Sequence, residues 1–417
     1  MVTLSLMDPA VQSCPFEFYR QVQTSDPVHR MPETGFFLVT RYNDVRAVLG
    51  DPVVFSNRSY LAGGLQAQRM RAHEDILAAE GWPHVDTLQR TDPPVHTRYR
   101  SLLNRAFTPR RVRTLAARID EVATGLVDGF AAAGTCEFVS AFAVPLPGII
   151  IAEQLGLDAS QIETFKRWAE ALLAPSMQLL SQHEIIVAAR TEVEAQHHLA
   201  AVFDARRADP DDSLISALVH AHARDEEPLT TAELQNLLHQ LVSGGFETTT
   251  GAIAHGMWLL LRYPDQMAKL RTRPELIKGF IEEVLRIESP VQGLVRRTTC
   301  DVTLAGVDIP AGSTVIVRYG AANRDEEEYP DAGRFDIERA NAATHLAFGV
   351  GNHFCVGAAL ARQEMLSSFT VLLRRLDDIK LAAPLPDPAH HPSLFLFALK
   401  QLQLSFRAKG GDVGGRL

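Results

Sequence analysis

Phe348-Gly349-Val350-Gly351-Asn352-His353-Phe354-Cys355-Val356-Gly357 is the stretch that decides the reading of this 417-residue chain. Two glycines ahead of the cysteine permit a tight turn. From Val356 to Leu376 the apolar spacing is that of a helix. Cys355 is therefore expected at a helix N-terminus, facing unpaired N–H groups and the positive end of the helix dipole, which lowers a thiol's pKa and favours thiolate. Gly357 removes side-chain bulk where a flat group could lie close. A lone cysteine is usually a buried structural residue, but the glycine and histidine pattern around this one is too constrained for that reading.

Three other segments carry chemistry. Thr230 and Glu233 make a capping box, with Leu229 and Leu234 as its hydrophobic staple. The apolar spacing then runs to Leu261, and Pro264 stops it, giving a predicted helix of about 32 residues, or ~48 Å. Its middle, Ser243-Gly244-Gly245-Phe246-Glu247-Thr248-Thr249-Thr250-Gly251, is made of poor helix formers, at up to ~1 kcal/mol per glycine relative to alanine. Local rules broken in the centre of a buried element point to a functional site, although threonines there can also simply pack or bond back to the helix. In Glu283-Val284-Leu285-Arg286, the acid and the base are three residues apart at the edge of an apolar face and able to pair. Taken alone, such a pair is more often a solvated one. In Asp92-Pro93-Pro94-Val95-His96-Thr97-Arg98-Tyr99-Arg100, His96 and Arg100 share a helix face.

Together these segments resemble the cytochrome P-450 family. The cysteine segment is similar to the family's haem-binding loop at Phe348, Gly351, His353, Cys355 and Gly357. The resemblance implies a haem b cofactor with Cys355 as axial ligand, a thiolate that favours O–O cleavage. It also implies Phe348 and Gly349 packed near the haem, and His353, His96, Arg100 and Arg296 at its propionates, where cations suit a buried dianion. Arg297, next to Arg296, leaves open which of the two points inward. Gly244 to Thr249 resembles the family's oxygen-activation segment, in which Glu247 and Thr248 would pass protons. Glu283 and Arg286 resemble its structural Glu-x-x-Arg, with Arg334 expected as the third member. The motifs stand in the family's order from about residue 15 to residue 406. The implied activity is hydroxylation: one atom of O2 enters a C–H bond of a small to medium apolar molecule, and the other becomes water. Expected substrate contacts are Leu241, Gly244, Leu294, Val295 and Leu396, with a lid over Ser56 to Gln89 and a roof around Leu173 to Leu180. Two other readings stay open, a peroxide-using haem enzyme and a non-catalytic haem ligand-binding protein.

The rest of the chain agrees with a mainly α fold carrying small antiparallel sheets. Extended stretches are few: Gly35 to Thr40, Val302 to Arg318 and Leu394 to Phe406. One domain to residue 406 and a flexible tail from 407 are expected. No apolar run approaches the ~18 residues of a membrane span, and no secretory signal is evident. The four cysteines are far apart, so neither a disulfide framework nor a zinc site is indicated and a reducing cytoplasm fits. Some other histidines, His197, His198, His220, His222, His390 and His391, read as surface or loop residues.

With 50 acids against 41 bases the net charge is −9, which argues against nucleic-acid binding. One segment runs the other way. Between Asp92 and Asp120 there is no acid, but there are arginines at 98, 100, 105, 110, 111, 113 and 118. Most charge runs are solvated faces. Here, with no flavin or iron–sulfur motif in the chain, Arg105, Arg110, Arg111 and Arg113 are expected to dock a [2Fe–2S] ferredoxin served by an NAD(P)H-dependent reductase.

Overall fold

A computed structural model of the chain describes residues 4–58, 65–157, 161–177, 180–221, 227–382 and 389–409. The part of the expected tail beyond residue 409, the expected lid at 59–64, the expected roof at 178 and 179, and His222 lie outside the described residues. The chain, read from sequence as one domain, is described as two compact units, each assembled from separate stretches. The first holds residues 1–51, 112–147 and 247–417, and the second holds 52–111 and 148–246.

The first unit combines sheets and helices. The strands Val28–Arg30, Phe37–Val39, Thr314–Val317 and Leu294–Thr298 lie side by side. Leu38 sits opposite Ile316 in a parallel pairing, while Val295 faces the same Ile316 from the other side in an antiparallel one. Small antiparallel sheets are thus present as read, with one parallel pair added. That pair joins strands far apart in sequence, a pairing no local turn signal announces. Gln403–Ala408 pairs with Leu376–Leu381 and with Thr135–Glu137. The tail therefore starts later than read: Arg407 and Ala408 belong to the strand, and the Lys409 amide bonds the Arg375 carbonyl at 2.8 Å.

Three helices of this unit, Glu247–Arg262, Ile277–Ile287 and Ala358–Arg375, form its interior. Gly256 makes the approach possible. A Cβ there would stand 2.5 Å from the Phe369 ring and 3.4 Å from Phe280. Those two rings meet edge to face at 4.7 Å, the geometry aromatic quadrupoles prefer.

The second unit is largely helical, with Leu65–Glu80, Val95–Ala106, Gln182–Ala208 and Thr231–Gly245 as its main elements. The capping box forms as read: the Glu233 amide donates to Thr230 Oγ1 at 3.2 Å, and the Thr230 amide donates to Glu233 Oε2 at 2.8 Å. The single long helix does not form. Thr231–Gly245 ends at Phe246, and a new helix runs from Glu247 to Arg262. Gly244 and Gly245 supply the weak point. The Phe246 ring adds a tight anchor, because it lies 3.0 Å from where a Cβ on Gly148 would stand. Among the described residues, no helix is long and apolar enough to cross a membrane.

Candidate haem site

In the first unit, the cysteine loop is closed by its own backbone. The Cys355 amide donates to the Phe348 carbonyl at 2.9 Å, and the Phe354 amide to Gly351 at 3.1 Å. Gly349 and Gly351 take φ of +65° and +72°, the left-handed region where glycine carries no Cβ penalty. At Gly351 a Cβ would also sit 3.0 Å from the Leu49 carbonyl. The helix after the loop begins at Ala358, two residues later than the sequence pattern indicated. The Ala358 amide bonds the Cys355 carbonyl at 3.4 Å, so Cys355 heads the turn that opens this helix.

The loop's ring is clamped. The Arg362 guanidinium lies over Phe348 at 4.5 Å from the ring centre and grips Glu282 with two bonds of 2.6 and 2.7 Å. Burial pushes the Glu282 carboxyl up, but its bonds to Arg362 and His345 outweigh this and hold it down at about 2. His353 ends the short turn and is half-buried. Arg296 is 4 % exposed, whereas its neighbour Arg297 is exposed, so Arg296 is the arginine that points inward. It bonds Tyr319, whose hydroxyl burial pushes up in pKa and the Arg296 charge pulls back. That hydroxyl is 3.7 Å from where a Cβ on Gly349 would stand, which ties Arg296 to the cysteine loop.

Glu247 and Thr248 open the Glu247–Arg262 helix of the same unit. Glu247 Oε2 is buried and no described residue hydrogen-bonds it. Burial pushes the carboxyl up to about 7, since a charge removed from water without a partner is disfavoured. Thr248 is half-buried and Thr249 buried. Sequence reading missed Glu364, 3 % exposed on the helix that follows Cys355. Burial raises this acid to about 8, against a lowering bond from Thr249. Its signal was an acid on a helix face of otherwise small or apolar residues, Leu360, Ala361, Ser367 and Ser368.

His96 and Arg100 belong to the second unit, on the Val95–Ala106 helix. His96 is 2 % exposed; burial first, and the Arg100 charge second, lower its pKa and favour the neutral ring. Of the expected substrate contacts, Leu241 is buried and Gly244 exposed in the second unit; Leu294 is exposed, and Val295 and Leu396 are half-buried, in the first. Val295 packs partly on the core around Phe18, Tyr19 and Val22. Arg105, Arg110 and Arg113 are exposed. Arg111 is not. It is partly buried and committed to the Asp212 carbonyl and the Gln154 side chain.

Glu283 and Arg286 are both fully buried and joined by bonds of 2.7 and 2.8 Å. Arg286 also donates to the carbonyls of Asn323, Ala332 and Arg334. The third member is a correction. Arg339, not Arg334, reaches Glu283, at 3.2 Å. Phe335 turns inward against Phe280 and Tyr263, which points the adjacent Arg334 outward, 64 % exposed and 3.8 Å from Asp336. Arg286→Ala should therefore cost about 3–5 kcal/mol, as an uncompensated buried charge does. Arg339→Ala should cost less, and Arg334→Ala should stay within about 0.5 kcal/mol. Urea unfolding of the three variants checks the ranking, and an equal loss at Arg334 would reverse the correction.

These residues fit a haem. Beside the cysteine sulfur, an added Cβ at Gly357 would meet only Cys355 Sγ, at 3.9 Å, so the surface next to the thiol is clear for a flat group. A single soft sulfur donor with a buried arginine in the same unit is the donor set of a thiolate-ligated macrocycle bearing carboxylates.

The comparisons agree. The family model for cytochrome P450 matches residues 15–406. The chain is 36 % identical over 408 residues to the cytochrome P450 monooxygenase PikC of Streptomyces venezuelae, covering 96 % of this chain and 93 % of that one. It is 38 % identical to the mycinamicin IV hydroxylase/epoxidase of Micromonospora griseorubida, over 88 % of this chain and 89 % of that one. The structure of cytochrome P450 CYP109Q5 from Chondromyces apiculatus superposes with a TM-score of 0.85 at 34 % identity, covering 99 % of this chain and all of that one (100 %). With a clear surface beside the cysteine sulfur and a family match over nearly its whole length, the chain belongs to the cytochrome P450 family and is a haem b monooxygenase.

Proposed function

We propose that this enzyme hydroxylates a small to medium apolar organic molecule at a C–H bond, in the cytoplasm, with electrons from a [2Fe–2S] ferredoxin and its NAD(P)H-dependent reductase. Haem b supplies the activation of dioxygen when bound. Cys355 holds its iron; Phe348, Gly349 and Gly357 line it; and His96, Arg100, Arg296 and His353 bind its carboxylates. Glu247 and Thr248 deliver protons. Leu241, Gly244, Leu294, Val295 and Leu396 face the substrate. Glu283, Arg286 and Arg339 keep the fold in place.

The observation that carries this reading is Glu247. A buried carboxyl raised to about 7, immediately after a helix break, is poised to hold and release a proton near neutral pH. A peroxide-using enzyme or a passive ligand carrier needs no such acid. An apolar substrate is the default for a pocket of this kind.

Reconstitution with a ferredoxin, its reductase and NAD(P)H under 18O2 tests the proposal on compounds that shift the haem spectrum. One 18O per product molecule is expected. Product formed only with added peroxide, or none from any bound compound, would overturn it. In the same system Arg110→Glu with Arg113→Glu should slow haem reduction and flatten its salt dependence, because complementary charge acts mainly on association rate. Substrate affinity should not change.

A further inference from the structure

Within the second unit, four side chains that the monooxygenase reaction does not use converge from well-separated positions. They are His73 on the Leu65–Glu80 helix, His84 in the loop after it, Glu192 on the Gln182–Ala208 helix and His239 on the Thr231–Gly245 helix. His84 Nε2 lies 2.9 Å from Glu192 Oε1, and His239 Nδ1 lies 3.6 Å from the same oxygen. On the other carboxylate oxygen, His73 Nε2 stands 3.0 Å away. Glu192 is 2 % exposed and His73 1 % exposed. The ligand atoms of His84, Glu192 and His239 all lie within 4.8 Å of one another.

One hydrogen bond, between His84 Nε2 and Glu192 Oε1 at 2.9 Å, accounts for only part of this packing. His73 Nε2, Glu192 Oε2 and His239 Nδ1 are buried and have no aligned hydrogen-bond partner, although a neighbouring polar atom is close to each. Buried polar atoms are nearly always bonded, and three imidazoles gathered on one buried carboxylate present more nitrogen and oxygen ligand atoms than that one bond uses. A cavity of about 20 Å³ adjoins His84, Glu192 and His239, room for one water or one ion. Around a tetrahedral ion with bonds of about 2.0–2.1 Å, donor atoms stand about 3.3 Å apart. The separations of 2.9 and 3.6 Å bracket that value.

We propose that His84, Glu192 and His239 bind one divalent transition-metal ion of the zinc class, with His73 holding the second carboxylate oxygen. Two imidazoles and a carboxylate select zinc and its neighbours over magnesium or calcium, which demand all-oxygen shells. The fourth position faces the cavity and is left for water. The loop is set for this in advance. Gln196 accepts from the Trp82 amide at 2.8 Å and donates to its carbonyl at 3.0 Å, two residues before His84. The ion joins this loop to the Gln182–Ala208 and Thr231–Gly245 helices. Its role is to brace the second unit, since metal binding to a folded site is folding free energy.

The test uses the haem-loaded full chain, stripped with a chelator and dialysed against micromolar zinc. Metal is measured per haem iron and thermal unfolding is recorded with and without zinc. Parent protein should retain one zinc per chain and melt at a higher temperature with it. His84→Gln and His239→Gln should each bind zinc at least tenfold more weakly and lose the zinc-dependent shift in melting. Both side chains are partly exposed, at 19 and 23 %, so both variants should fold, which unchanged haem content verifies. No zinc on the parent, or equal zinc on parent and variants, would overturn the proposal.

Discussion

Thr248→Ala is expected to leave haem and substrate binding intact while product formed per electron consumed falls by at least about tenfold, a threshold set below the ~10²-fold lower edge of what general acid catalysis contributes. The diverted electrons should appear as peroxide or water. The hydroxyl sits beside Glu247 at the start of the Glu247–Arg262 helix, where the preceding helix has just ended at Gly245. The acid adds a pH signature with a definite sign. Its carboxyl, raised from 4.5 to about 7 by burial, is protonated below that value and ionises above it. Product per electron should therefore fall as pH rises from about 6 to about 8. Glu247→Gln should lower the yield throughout and flatten this dependence. The same burial bears on stability. A carboxyl whose folded pKa is raised binds its proton more tightly when folded, so stability is lost as pH climbs from 4.5 through about 7. Glu247→Gln should remove that loss. If Thr248→Ala retains full coupling, the threonine only packs and protons take another route.

Much of this site is written in the chain, and the parts that are not share a physical reason. The cysteine loop is legible because its backbone needs glycine at two positive-φ positions and its sulfur needs clear space. The weak helix centre is legible from Gly244 and Gly245, yet the break itself is not, since the apolar spacing continues unbroken through Phe246. Only the Phe246 ring against Gly148, a contact between distant positions, shows where the helix ends. Arg334 and Arg339 are both basic and close in sequence. The choice between them follows from Phe335 turning inward, which spacing does not reveal. Arg111 sits in a basic run, and only the fold brings Asp212 and Gln154 to it. The His84–Glu192–His239 cluster has no sequence signature, because each ligand comes from a different element.

Thiolate ligation by Cys355 is the claim on which the rest depends. The other cysteines offer no substitute. Cys14 and Cys300 are exposed, and burial, helped by the Glu137 charge, pushes the Cys136 thiol up to about 12, far from thiolate. Cys355→Ser replaces a soft sulfur donor by a hydroxyl of nearly the same size, so the loop and its bond to Phe348 should survive. The decisive measurement is the difference spectrum of the reduced, haem-loaded protein on adding carbon monoxide. The parent should show the strongly red-shifted band of thiolate-ligated haem, and Cys355→Ser should lose it entirely. The same red-shifted band in Cys355→Ser would contradict the account.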